Sequence, residues 1–432
     1  MQDFVHLHVH TQYSILDGQA SIPRLVDKAI ANGMRGIAVT DHGDMFGIKE
    51  FFNYVNKKNG GTNGEIKDLK KKIAALESGK AESENPEAEL AACKEQLEAA
   101  RKKLFKPIIG CEMYVARRRL EDKDGKQDQS GYHLVVLAKN LKGYHNLIKL
   151  VSKAWTKGFY MRPRTDRAEL EKYHEGLIVC SACLGGEVPR RISAGQLEEA
   201  EEAIRWYKNL FGDDYYLELQ RHKATVPRAN HETFKLQEVV NQKLIEYARK
   251  YDIKLVCTND VHFVDEENAE AHDRLICLST GKDLDDPNRM LYTKQEWMKT
   301  REEMNEIFAD VPEALSNTVD ICDQVEFYSI DHAPVMPTFV IPESFGTEEE
   351  YRKKFTEKDL FDEFTQDENG TSLWMKPPRR PRSNVWEDMR NCIVSSWRQI
   401  TWLNWLMTER VAVMEKNWMK KFRNESNLSS TL

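Results

Sequence analysis

Three histidines stand within the first ten residues, in the run Phe4-Val5-His6-Leu7-His8-Val9-His10-Thr11. An extended segment with this alternation turns all three imidazoles to one face. The chain holds 12 histidines in 432 residues, so three at a spacing of two mark a candidate metal-binding face, with the apolar residues between them turned to a core. Further candidate ligands recur where short apolar runs end. Thr40-Asp41-His42-Gly43-Asp44 follows Val39, and Gly110-Cys111-Glu112 follows Ile109. Cys180-Ser181-Ala182-Cys183 follows Val179, and Cys257-Thr258-Asn259-Asp260-Val261-His262 follows Val256. His133 differs, because it begins its apolar run rather than ending it. Taken singly, each has a plain explanation: an Asp-His pair after a strand caps a turn, a glutamate is a surface carboxylate, and a cysteine is a small buried thiol. The pair Cys180 and Cys183 has no second Cys-x-x-Cys partner, which weakens a redox or structural zinc reading. Taken together, mixed imidazole and carboxylate groups suit zinc, manganese or iron better than calcium, and magnesium is also admitted. Closely spaced divalent ions support phosphoester hydrolysis.

The elements that must position these residues form an α/β pattern up to about residue 275. Arg35 to Thr40, Lys106 to Gly110, His133 to Ala138, Gly176 to Cys180 and Ile253 to Cys257 have strand length and near-continuous hydrophobicity. Such runs are typical of strands buried on both faces. Amphipathic segments such as Ile22 to Asn32, with Pro23 in its first turn, and Leu197 to Leu210 separate them as helices. The alternation predicts a parallel sheet, open or closed into a barrel, whose strand ends converge on one mouth. Residues 64–103 interrupt the pattern. Ile66, Leu69, Ile73 and Leu76, a break at Asn85-Pro86, then Leu90, Leu97 and Leu104 predict an inserted antiparallel helical hairpin with a solvated charged face.

Composition narrows the function classes. A chain with 41% hydrophobic and 31% charged residues suits a globular protein. A formal net charge of -7 argues against a broad basic surface gripping nucleic acid, so any such substrate must be drawn to a local site. No stretch approaches the roughly 18 apolar residues that span a bilayer, and eight scattered cysteines suit a reducing compartment, so a cytoplasmic location without a membrane partner is expected.

The run His6-Leu7-His8-Val9-His10-Thr11-Gln12-Tyr13-Ser14-Ile15-Leu16-Asp17-Gly18, with Thr40-Asp41-His42 and Asn259-Asp260-Val261-His262, resembles the PHP (polymerase and histidinol phosphatase) domain of bacterial replicative DNA polymerase III alpha subunits. The resemblance covers roughly residues 1–345 apart from the helical insertion. It implies a distorted, TIM-like (β/α)7 barrel holding up to three divalent metal ions on nine ligands. Carried over by position, these are His8, His10, Asp17, His42, Glu112, His133, Cys183, Asp260 and His262. His6 lies one alternation before the pair and is left out. The resemblance also implies 3'-to-5' exonuclease action in proofreading, with Asp260, His262 and His133 as the catalytic side chains. DNA with a single-stranded 3' end, and other subunits of the polymerase III holoenzyme, are the implied partners.

Two other functions fit the same residues. One is a metal-stabilised scaffold for the polymerase or a proofreading partner; the other is a small-substrate phosphatase of the histidinol-phosphate type. The phosphatase accounts poorly for residues 276–345, because Leu291-Tyr292-Thr293-Lys294, Met304 to Phe308 and Val311 to Thr318 resemble the polymerase chain leaving its PHP domain. The loop Lys157-Gly158-Phe159-Tyr160-Met161-Arg162-Pro163-Arg164-Thr165 mixes aromatic and basic residues suited to a single strand. The domain reading is therefore 1–275 for the phosphoesterase and 276–369 for an incomplete start of the polymerase region. No closely spaced Asp-x-Asp metal motif follows Asp286, so DNA synthesis by this chain is not expected. Residues 370–432 read differently. Six of the nine tryptophans fall between Trp374 and Trp418, beside Pro377-Pro378-Arg379-Arg380-Pro381-Arg382, with no helical or strand period. A frameshift near Gly370 explains this, because the reading frame one nucleotide earlier admits a tryptophan-free, helix-forming continuation.

Overall fold

The computed structural model describes residues 1–78 and 85–332. The remainder of the polymerase-like region and the proposed out-of-frame tail lie outside the described residues. Seven strands form one sheet: β1 (Gly36–Val39), β2 (Lys106–Val115), β3 (Tyr132–Ala138), β4 (Arg164–Thr165), β5 (Leu177–Cys180), β6 (Tyr215–Leu219) and β7 (Lys254–Cys257). Their order is β1-β2-β3-β5-β6-β7, with β4 pairing β2 beyond the end of β1.

The sheet is mixed, not parallel as expected. β3 runs antiparallel to both of its neighbours, β2 and β5, while the other pairs are parallel. Hydrophobic periodicity reports burial but not strand direction, so a run covered on both faces reads the same either way. One consequence reaches the site: reversing β3 brings its first residues, where His133 stands, to the edge at which β2 ends. Tyr114, near the end of β2, pairs in register with His133.

Residues 6–10 join the two edges of this curled sheet. Ala38 N and Thr40 N donate to the carbonyls of His6 and Val9 at 2.9 and 2.8 Å. Val261 N donates to His8 O at 3.1 Å, and His10 N donates to Val261 O at 2.7 Å. The predicted first strand is therefore an extended closing segment between β1 and the residues after β7.

Alternate residues of the strands face two apolar layers. Val5, Leu7, Ala38, Ile108, Val135, Leu137, Ile178, Tyr216 and Val256 form one cluster, completed by Val319, Ile321 and Cys322 of the helix Pro312–Gln324. Val39, Ile109, Val136, Val179 and Leu217 belong to the other, with helices such as Ile22–Ala31 and Leu197–Phe211. Met1–Asp331 form one compact unit. The insertion is a helical pair, Gly60–Glu77 and Pro86–Lys102, whose Ile66, Leu97 and Ala100 meet along the seam. Ion pairs Glu65–Lys103 (3.9 Å) and Lys72–Glu89 (2.6 Å) join the start of the first helix to the end of the second and later residues of the first to earlier ones of the second, an antiparallel order.

Among the described residues, no helix is long and apolar enough to cross a membrane.

Candidate metal centre

Glu112 lies within β2 and His133 at the start of β3, most of the other donors sit in loops and turns, and local bonds hold them in place. His8 and His10 come from the closing segment. Asp17 lies in a tight turn where Asp17 N and Gly18 N both donate to Ser14 O. A Cβ at Gly18 would lie 2.0 Å from Thr11 O, so only glycine fits there. The buried Asp41 carboxylate accepts from Thr11 N (2.6 Å), Thr11 Oγ1 (2.9 Å) and Ser14 Oγ (2.8 Å), tying the His42 loop to the turn. His133 N donates to Gly185 O at 3.0 Å, which brings the loop containing Cys183 against it. Asp260 has φ 45°, an uncommon left-handed conformation for a non-glycine residue.

All nine predicted residues meet at one mouth. Glu112 is central: Oε1 lies 2.8 Å from His133 Nδ1, 3.3 Å from His8 Nε2 and 3.7 Å from Cys183 Sγ, and Oε2 lies 2.6 Å from His42 Nδ1 and 3.7 Å from His10 Nε2. Asp260 Oδ1 stands 3.2 and 3.3 Å from the Nε2 atoms of His8 and His10. Asp17 Oδ2 stands 2.8 Å from His42 Nε2 and 3.6 Å from His262 Nε2. Three overlapping donor triads result: His10-His42-His262, His8-His10-Glu112 and His42-Glu112-His133. Donors around a tetrahedral ion with bonds of about 2.1 Å are spaced about 3.4 Å apart, close to several of these separations.

The hydrogen bonding tests this fit independently. His8 Nε2, His10 Nε2, His42 Nδ1, Glu112 Oε2, Asp260 Oδ1 and His262 Nε2 are buried and make no hydrogen bond of good geometry, although His42 Nδ1 and Glu112 Oε2 stand 2.6 Å apart. Orphaned buried polar atoms are rare and costly, and six converging here form a donor set that suits divalent cations. Their opposite ring nitrogens are engaged. His8 Nδ1 meets Glu218 Oε1 at 2.7 Å, His10 Nδ1 meets Ser14 Oγ at 2.9 Å, and His262 Nδ1 meets Asp260 O at 2.7 Å. Such outer contacts fix ring orientation and raise ligand basicity.

Electrostatics lead to the same chemistry. Burial, with His42 and His262 nearby, pushes His10 down to about 3, leaving a neutral imidazole able to coordinate. Burial also opposes charge on His262, but Asp17 and Asp260 lift it to about 9. Burial raises the pKa of Glu112 less than His133, His42 and His8 lower it, so its carboxylate is held ionised. Burial keeps the Cys183 thiol protonated, reinforced by Glu112 and Asp260. Positive charge is what this cluster of carboxylates calls for, and divalent cations supply it.

Several neighbours have other duties. His6, on the same alternation, has its Nε2 bonded to Lys299 O at 2.8 Å and stays outside the cluster. Arg164, read as a phosphate contact, is fully buried and donates to the carbonyls of Gly158, Leu120 and Asp122. Sequence reasoning missed Glu218 and Tyr292, whose hydroxyl donates to Asp17 Oδ1 at 2.9 Å. Glu218 was detectable as the acidic residue inside the apolar run Tyr215-Tyr216-Leu217-Glu218-Leu219; Tyr292 had no local signal.

A family profile described as the PHP domain matches residues 6–222. The chain belongs to the PHP domain family. Among curated proteins it is similar to the DNA polymerase III subunit alpha of Borreliella burgdorferi, with 39% identity over 82% of this chain and 26% of that protein. It is similar in the same way to that of Treponema pallidum, with 36% identity over 84% of this chain and 26% of that protein. The chain thus spans about a quarter of the length of these relatives. A solved structure of a protein named as an amidohydrolase from Chromobacterium violaceum shares 11% identity over 60% of this chain and 87% of that one, at a TM-score of 0.26.

Proposed function

We propose that this PHP domain is a metal-dependent phosphodiesterase that removes nucleotides from the 3' end of a DNA single strand, in support of replication. The observation that supports it is the convergence of six unpartnered buried donor atoms beside the more open Asp17, His42 and His133. His8, His10, Glu112 and Asp260 are the proposed holders of one ion. In this reading His42, Asp17 and His262 would hold a second, sharing His10, and His133 and Cys183 a third, sharing Glu112. Divalent ions bound there would neutralise phosphate charge and activate water. As a ligand His133 would offer Nδ1, which stands 2.8 Å from Glu112 Oε1, and its Nε2–H would then be the group that donates to the leaving 3' oxygen. Asp260 and His262 hold the reacting end of the site, and Tyr292 steadies Asp17 through its hydroxyl. DNA as substrate, and other polymerase III subunits as partners, rest on the relatives' identity.

The test uses chain stripped of metal, reloaded with zinc, manganese or magnesium, and given a 3'-labelled single strand. Metal-dependent release of single nucleotides, lost in the Asp260→Asn, His262→Ala double variant, is expected. Bound metal without release under any of the ions would favour a scaffold. Release of phosphate from histidinol phosphate alone would make the chain a small-substrate phosphatase.

A further inference from the structure

The mouth is not evenly polar. Its least buried donors are Asp17, His42 and His133, whereas His8, His10, Glu112 and His262 are closed off. Beside the open donors stand three exposed aromatic side chains: Phe46 at 55%, Trp155 at 40% and Phe159 at 45% exposure. They form a row. The Phe46 and Trp155 centroids are 5.7 Å apart, and those of Trp155 and Phe159 are 5.6 Å apart with planes inclined by 24°.

This row is fixed to the donor cluster by backbone contacts. Trp155 Nε1 donates to Gly43 O at 2.8 Å, and Gly43, which follows His42, donates its N–H to Glu112 O at 2.8 Å. A Cβ on Gly43 would lie 2.6 Å from Pro163 and 3.2 Å from the Tyr114 ring, so the loop that carries Phe159 packs directly on the residue beside a donor. On the same flank Tyr114 meets His133 edge-on at 5.1 Å, and the Arg162 guanidinium lies 5.8 Å from the Tyr114 centroid. Arg162 and Lys157 are both exposed. A row of exposed rings, flanked by cations and continuous with a phosphate-binding mouth, is the combination that takes single-stranded nucleic acid.

We infer that Phe46, Trp155 and Phe159 form a stacking shelf for the bases of the strand whose terminal phosphodiester lies at the donor cluster, with Arg162 and Lys157 on its backbone. The inference rests on the nuclease reading and adds positioning residues to it. Stacking accepts any base, because every base offers a π-face, so the shelf holds the strand without selecting sequence. It also favours an unpaired end, since bases within a duplex already stack on one another.

The test is a binding cycle read by anisotropy, using the full chain without metal so that no turnover occurs. Phe46→Ala and Phe159→Ala are titrated with a 5'-labelled oligonucleotide and with an abasic strand of the same length and charge. Trp155 is left intact because its indole anchors Gly43. Each alanine variant is expected to weaken binding of the normal strand by about 5- to 150-fold, the range for losing one base stack, and to leave binding of the abasic strand within about 2-fold of wild type. Val239→Ala, an exposed position on the helix Glu232–Tyr251, serves as the control. Equal weakening of both strands, or of neither, would overturn the shelf, as would docking of a protein partner that depends on Phe46 and Phe159 while the strand does not. Failure of the two ideas is separable. An intact cycle without metal-dependent release refutes hydrolysis alone, and release without the cycle refutes the shelf alone.

Discussion

Replacing Glu218 with glutamine probes the outer support of the centre without removing a proposed ligand. Glu218 is buried, and its Oε1 accepts from His8 Nδ1 at 2.7 Å, Thr258 Oγ1 at 2.5 Å and Gln220 Nε2 at 3.0 Å. Glutamine preserves the volume and an oxygen acceptor in β6, so packing against Ser181 and Thr258 is retained. What it removes is the negative charge behind His8, and with it the basicity that Nε2 offers to a cation. Outer partners of this kind are typically worth 10- to 100-fold in metal affinity, or about 1.4–2.8 kcal/mol. The fully buried setting of both residues points to the upper half of that range, because solvent does not screen the pair. Chelator competition on metal-free Glu218→Gln and wild-type chain measures the difference directly, with melting temperature as the check on folding. An affinity within about 2-fold of wild type, in a folded variant, would refute the claim that His8 presents Nε2 to a metal.

Three further outcomes follow from the same geometry. Tyr292→Phe keeps the ring but removes one hydrogen bond to the ionised Asp17, so nucleotide release should fall by roughly 10-fold, measured by initial rates at saturating metal. Lys299 is buried, with Nζ 2.7 Å from Gln295 O and 3.2 Å from the Trp297 centroid, and burial pushes its ammonium down to about 7 despite Glu303 and Glu296. Between that value and the ordinary 10.5 the unfolded chain binds a proton that the folded chain does not, so stability rises with pH across this window, by up to about 1.4 kcal/mol per unit. Lys299→Met should abolish that component and gain most at pH 7 and below; a wild-type minus variant difference in melting temperature that does not change between pH 7 and 9 would contradict it. Deleting residues 370–432 should leave the metal content of the Met1–Asp331 unit unchanged, and coding DNA incompatible with the alternative frame would sink the frameshift proposal.

Much of the site was legible because its donors obey a local rule: a short apolar run, then a polar residue of ligand type. His42, Glu112, Asp260 and His262 could be read from that rule, and the alternation around His8 and His10 from the need to bury Leu7 and Val9. Strand direction was not legible. β3 is apolar from Leu134 to Ala138, and its pairing is decided by neighbours distant in sequence, so the placement of His133 emerged only with the antiparallel register to β2. The same limit hid Tyr292, which reaches Asp17 across 275 positions. Arg164 shows the opposite error. Its loop composition suggested a strand-binding cation, but three backbone carbonyls claim its guanidinium inside the fold.

The central claim is that the six unpartnered donor atoms hold divalent ions that act on a phosphodiester. The most direct measurement titrates one divalent ion into metal-free chain while following, on the same samples, bound metal per chain and nucleotides released from a 3'-labelled single strand. The account predicts that release rises in step with occupancy at two or more ions per chain and that Asp260→Asn with His262→Ala lowers both together. Release that persists in the double variant, or in samples holding no metal, would contradict it.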